Sequence, residues 1–155
     1  MEERAGPKVW LHPPTFMMAL IVTGFLLRLP YGGFMPIPKA VSEGIGVAAT
    51  LAGFALMTAS VRFFLENGET LLPKTPSTAL LQEGPFARSR NPIYLGMVAI
   101  GCGLGFATSN VFMVALAYVG GVILNYFVIA PEEAYLEKQF GAEYTDYKAR
   151  VRRWI

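Results

Sequence analysis

The stretch Gly84-Pro85-Phe86-Ala87-Arg88-Ser89-Arg90-Asn91-Pro92-Ile93-Tyr94-Leu95-Gly96 decides the reading of this chain. It stands where a polar connection meets a long apolar run. Proline fixes its own φ and pushes the preceding residue out of the α region, so Asn91-Pro92 marks a helix start. Pro92 opens the helix, where its missing N–H costs nothing. Asn91 is the expected N-cap, its side chain reaching a free helical N–H. The unpaired N–H groups and positive end of that helix suit an anion, with Arg88 and Arg90 adding charge. The same residues would equally mark the start of a membrane helix with its arginines at the headgroups.

Composition favours the membrane. Of 155 residues, 54% are hydrophobic and only 15% charged, and the mean hydropathy is +0.43. A soluble domain is less apolar than this, and an integral membrane protein in the inner cell membrane is expected. The single cysteine, Cys102, excludes an internal disulfide and a cysteine metal cluster, and no metal is expected. A net charge of +2, widely scattered, does not suggest nucleic acid. The first residues show no cleavable signal pattern, because two acids precede the first lysine. His12, the one histidine, reads as an interface residue in a proline-rich approach to the first span.

Hydropathy gives an all-α bundle of about four spans, at 15–29, 44–65, 93–107 and 111–130, as a single domain over 1–155. Val9-Trp10-Leu11 and Trp154 read as interfacial anchors, and Arg28 as a residue that snorkels to the headgroups. Gly101 and Gly105 fit close helix packing better than a nucleotide loop, because no strand precedes them. The loop 66–92 is long for so small a membrane protein and is expected to be functional. Four spans put the N-terminus, that loop and the tail 131–155 on one side. Eleven of the thirteen basic residues then lie there, leaving Arg28 and Lys39 opposite, which makes the loop, the tail and both termini cytoplasmic.

Pro131-Glu132-Glu133 follows the fourth span. On a continuing helix, Glu132, Leu136, Phe140 and Tyr144 share one face at i, i+4 spacing. Glu133 and Glu137 fall on a neighbouring face that is expected to meet water. Acids at a helix start also complement its dipole. An ionisable group projecting from a membrane helix toward a basic loop, however, tends to be functional. Gly141 is expected to break the tail into two short helices.

The ordered combination of Gly84-Pro85-Phe86, Arg90-Asn91-Pro92-Ile93-Tyr94-x-Gly96 and Glu132-Glu133-x-x-Leu136-x-x-x-Phe140-Gly141-x-x-Tyr144-x-x-Tyr147 resembles the isoprenylcysteine carboxyl methyltransferase and phospholipid methyltransferase family. The resemblance covers roughly the C-terminal half, from Phe64 onward. It implies a small membrane enzyme that uses S-adenosylmethionine, released as S-adenosylhomocysteine, and methylates a lipophilic or lipid acceptor. Carried over by position, Thr78, Ala79, Leu80, Leu81 and Phe86 would line the cofactor pocket. Asn91, Pro92, Ile93 and Tyr94 would hold its amino-acid end, and Glu132 its ribose hydroxyls. Arg90 and Tyr94 would stand at the reacting end. Two departures matter. Eukaryotic members have His where this chain has Asn91, so that position cannot carry a proton here. Eukaryotic carboxyl methyltransferases also place an Arg one turn before the first Glu, where this chain has Val128; either the acceptor is not a prenylcysteine carboxylate, or another cation such as Arg90 must meet it. No histidine is expected near the site, which favours an anionic acceptor needing no base. Two other classes remain open on the sequence: a membrane reductase distantly similar to the sterol reductases, and a non-catalytic membrane adaptor.

Overall fold

The computed structural model describes residues 11–70 and 76–155. Of the residues named above, Val9 and Trp10 lie outside them, as do positions 71–75 of the loop. The described chain is a helical bundle. α1 (Pro13–Tyr31) is followed by α2 (Lys39–Glu66), a short 3₁₀ turn at Gly84–Ala87, and α3 (Pro92–Ala107). α4 (Val111–Leu124) runs through a π turn at Asn125–Ile129 into α5 (Ala130–Phe140), and α6 (Ala142–Arg150) closes the order.

Three helices are long and apolar enough to cross a membrane: Pro13–Tyr31, Lys39–Glu66 and the continuous Val111–Phe140. Pro92–Ala107 is a shorter apolar helix of 16 residues. The helices exceed the expected spans mainly by extra turns at their ends. Pro13 and Pro14 start α1, where prolines lose no bond. Pro30 falls in its last turn, and Gly32 stops it at φ 74°, donating its N–H to the Arg28 carbonyl. α2 begins directly after Pro38, five residues ahead of the expected start at 44.

The helix continuation weighed for Glu132 and Leu136 is realised at Pro131. Helix continues straight through it, where the expected fourth span ends at 130 and the tail begins. A proline inside a helix clashes with the carbonyl four residues back. The π turn just before it widens the backbone, so that the Ala130 N–H reaches the Asn125 carbonyl, and the helix accommodates the ring.

α2 lies along α3, and α4 packs against both α3 and α1. Glycines set these distances. A Cβ on Gly46 would fall 2.0 Å from the Ala107 nitrogen, and one on Gly103 2.4 Å from Thr50 Oγ1. Gly101 and Gly105 face Ala117 and Val114 of α4, so α3 presents small residues to two neighbours. A core of Met17, Ala117, Leu124 and Val128 joins α1 to the α4–α5 helix. The outer faces of α1 and α2 carry exposed Val22, Phe25, Leu26, Leu51 and Phe54, as a lipid-facing surface does.

The connections gather at two ends. At one, Asn110 caps α4 through the Phe112 and Met113 N–H groups and donates to the Gly24 carbonyl. There Arg28, expected to snorkel, donates to the Thr108 carbonyl and lies 4.8 Å over the Phe34 ring. At the other end, the connection after α2 meets α5, α6 and the last residues. A second core of Tyr144, Tyr147 and Val151 forms there, flanked by Leu80, Leu136 and Phe140.

Candidate functional site

A cavity of about 490 Å³ opens between these segments. Ala79, Leu80, Leu81, Phe86, Arg90, Asn91, Pro92, Ile93, Tyr94 and Glu132 all face it. Thr78 stands behind that wall. Its N–H and Oγ1 both donate to Glu69 Oε1, at 2.7 and 2.5 Å, and the Ala79 N–H donates to the same oxygen at 2.7 Å. Glu69 is buried and thus holds the loop in place. Farther along, the Ser77 N–H donates to the Tyr135 hydroxyl, tying the loop to α5. Nothing in the sequence singled out Glu69 or Tyr135, because each works through a loop distant in sequence or lacking periodicity.

The first turn of α3 differs from expectation in one contact. Asn91 is the N-cap residue, but its side chain does not cap. Its amide donates instead to the Arg153 carbonyl at 3.1 Å. Leu95 is the first residue whose N–H finds a backbone acceptor, the Asn91 carbonyl. The N–H groups of Ile93 and Tyr94 therefore have no acceptor among the described residues, and donors at the positive end of a helix suit an anion.

The charge expected from the two arginines is not free. Arg88 is exposed and off the cavity wall. The Arg90 guanidinium donates to Glu133 Oε1 from Nε at 3.0 Å and Nη2 at 2.8 Å, and to the Val151 carbonyl from Nη1 at 2.6 Å. Glu133 also takes Arg153 Nη2 at 2.6 Å. The expectation that Glu133 meets water is overturned: the residue is 4% exposed and sits between two guanidinium groups. The face it occupies is polar by periodicity, yet residues 151–154 fold back over it and bring the cation with them. Trp154, expected as an interface anchor, donates its indole N–H to Asn125 Oδ1 in the π turn.

Glu132, one residue earlier, faces the cavity. Its Oε1 accepts the Tyr94 hydroxyl at 2.8 Å, and its Oε2 has no partner among the described residues. Tyr144 is 1% exposed, and its hydroxyl is a buried polar group without a hydrogen-bond partner among the described residues. Burial first, and the Glu133 carboxylate second, push that phenol up to about 12; Arg90 alongside offsets only part of the shift. Tyr147, next to it, donates to the Phe86 carbonyl at 2.7 Å. Leu11 to Pro14 also line the cavity, so the one histidine reaches the site after all. No sequence spacing links His12 to residues 80 positions away; only the seating of α1 against α3 and α4 does.

The wall fits an amphipathic, partly anionic ligand. It offers a free carboxylate oxygen, a lone buried hydroxyl, two unpaired N–H groups and an aromatic and aliphatic lining. Pockets of this size and balance are what small-molecule and cofactor sites use.

The fold and the cavity define a helical membrane protein with a partly open cavity at one end of its bundle. Residues 42–143, well over half of the chain, match the phospholipid methyltransferase family, and the chain belongs to that family. It is therefore a methyltransferase of a lipid-directed kind. A 45-residue segment is also 51% identical to an uncharacterized protein of Haemophilus influenzae, covering 26% of this chain and 71% of that protein.

Proposed function

We propose that the protein transfers a methyl group from S-adenosylmethionine to a lipophilic acceptor at the cytoplasmic face of the membrane, with four spans and both termini cytoplasmic. The acceptor classes are an isoprenylcysteine-like carboxylate, another lipophilic acid or thiol, and a phospholipid amine. The observation that carries the reading is the Tyr94–Glu132 pair, which turns a free carboxylate oxygen into the cavity beside the unpaired N–H groups of α3.

The sulfonium supplies the reactivity when the cofactor is bound. Glu132 accepts hydrogen bonds from the ribose hydroxyls through its unpartnered oxygen. The Ile93 and Tyr94 N–H groups hold the amino-acid carboxylate, backed by the Asn91–Pro92 turn. Ala79, Leu80, Leu81 and Phe86 cover the adenine, with Thr78 fixed behind them by Glu69. Tyr94 stays with Glu132 at the reacting end. Arg90 takes a positioning role, since its guanidinium ties the α3 entrance to Glu133 and the last residues. The apolar part of the wall limits water around the reactants and holds them in line, the two contributions a protein makes to a displacement.

The test is binding of S-adenosylhomocysteine to purified protein, read by thermal shift and calorimetry. Wild type should be stabilised by it and not by NADPH. Glu132→Ala should weaken the Kd by roughly 10- to 100-fold, as loss of hydrogen bonds to a charged group does. Stabilisation by NADPH alone would support a reductase, and by neither ligand an adaptor.

A further inference from the structure

We propose that His12 is the base of the reaction, its Nε2 taking the proton that the methyl acceptor must lose. The inference rests on the methyl-transfer reading above and adds the acceptor's protonation class to it. His12 lies on the cavity wall at the start of α1. Its Nδ1 shares a 2.8 Å hydrogen bond with Thr15 Oγ1, which fixes the ring; Nε2 has no partner among the described residues.

Apart from one Glu132 oxygen and the Tyr144 hydroxyl, the other titratable groups on the same wall already have partners. Just beyond α2, Glu69 takes three bonds from the loop. At the α3 entrance, Arg90 is paired with Glu133 of α5. Tyr94 of α3 donates to Glu132 of α5, and Tyr135 of α5 accepts from the Ser77 N–H. From α6, Tyr147 donates to a backbone carbonyl, and Tyr144 is buried in the second core. Glu132 keeps one free oxygen, already assigned to the ribose. α1 itself brings no acid in its first turn.

The charge on the wall points the same way. Arg90 is its one Lys or Arg among the described residues, and Glu133 already neutralises it. The uncommitted groups are thus a carboxylate oxygen, a phenol and an imidazole. A carboxylate acceptor would find no free side-chain cation here. An acceptor atom that bears a proton, as an ammonium or a thiol does, finds a base.

The step balances. The acceptor's heteroatom gives its proton to His12 Nε2 and forms a bond to the methyl carbon. The carbon–sulfur bond breaks with its electron pair on sulfur, which becomes a neutral thioether. The imidazolium then releases the proton to water at the cavity mouth, where His12 is exposed. Proton transfer by a placed side chain is worth about 10²- to 10⁴-fold in rate.

The experiment measures labelled methyl transfer against pH for wild type, His12→Gln and Thr15→Val. Two acceptors are offered: vesicles containing an amine-headgroup phospholipid, and a lipophilic thiol. A lipophilic carboxylic acid serves as the acceptor that needs no base. With the amine or thiol, His12→Gln should lose roughly 100-fold or more in kcat and lose the acid-side limb of the profile. Its S-adenosylhomocysteine affinity should stay at the wild-type value. Thr15→Val, which keeps the imidazole but frees it, should lose less and retain the limb. Which acceptor is used separates a headgroup amine from a thiol. An unchanged kcat and acid limb in His12→Gln would overturn the proposal, as would loss of cofactor affinity in that variant. Transfer by wild type to the carboxylic acid alone would overturn it while leaving methyl transfer standing. No transfer to any acceptor would remove the underlying reading, and this inference with it.

Discussion

Glu132 and Glu133 are chain neighbours in opposite situations. A step of one residue turns a helix by about 100°, so Glu132 looks into the cavity and Glu133 toward Arg90 and Arg153. One keeps an unpartnered oxygen at the cavity wall, and the other is saturated. Tyr144 is a third case, a hydroxyl buried with no partner. An unsatisfied buried polar group costs about 1–3 kcal/mol. Tyr144→Phe should therefore raise the stability of the ligand-free protein by about 1 kcal/mol, seen as a higher midpoint in thermal or denaturant unfolding. Its pH dependence has a definite sign. The folded phenol titrates near 12, and an unfolded one near about 10. The neutral form is thus favoured by folding, a contribution fully present below the unfolded value and lost as pH rises through the folded one. Alkaline unfolding of wild type between those values should move upward in Tyr144→Phe. An unchanged alkaline midpoint would mean that the phenol is not buried in solution.

At the scale of the elements, two devices place the site. The first is the π turn at Asn125–Ile129. It lets the continuous Val111–Phe140 helix pass Pro131 and carry Glu132 and Glu133 to the cavity without a break, and it turns Asn125 toward Arg153 and Trp154. The second is the glycine seam of α2 and α3, which holds the α3 entrance close to the end of α2. Gly46→Ala puts a methyl carbon into the α3 backbone at Ala107. It should destabilise by about 1–3 kcal/mol, the usual cost of overpacking. Gly44→Ala, with open space at its Cβ, should be neutral or gain a few tenths, since alanine is the better helix former. Melting temperatures in one detergent compare the two, and equal values would deny the seam its tight packing.

For the molecule as a whole, the last residues act as a clasp. The Arg152 carbonyl accepts the Arg90 N–H, the Arg153 carbonyl accepts from Asn91 and Ser89, and the Arg153 side chain reaches Glu133. Both halves of the site, the α3 entrance and α5, are thus joined through residues that belong to neither. Deleting 151–155 would leave Glu133 with Arg90 as its sole cation and release the Asn91 turn. Breaking a buried ion pair costs about 3–5 kcal/mol. The truncated protein should lose roughly 3 kcal/mol of stability and at least tenfold in S-adenosylhomocysteine affinity. Arg153→Ala, which keeps the carbonyl contacts, should fall between. Full affinity in the truncated form would refute the clasp.

Apolar runs, proline placement and the turn at Asn91-Pro92 determined the helical bundle, the α3 entrance and the role of Gly141 as a break, because these depend on neighbours in the chain. The spacing of Glu132 from Leu136 also put both on the cavity side of α5, whereas Tyr144, beyond the break at Gly141, reaches that wall from α6. Tertiary structure alone decided that Glu133 is buried, that Asn91 bonds to the last residues in place of its own helix, and that Glu69 and His12 stand at the cavity. Periodicity records which way a side chain points from its own helix. It holds nothing about which distant segment folds over that face, and here those segments lie tens of residues away and bring their own charges.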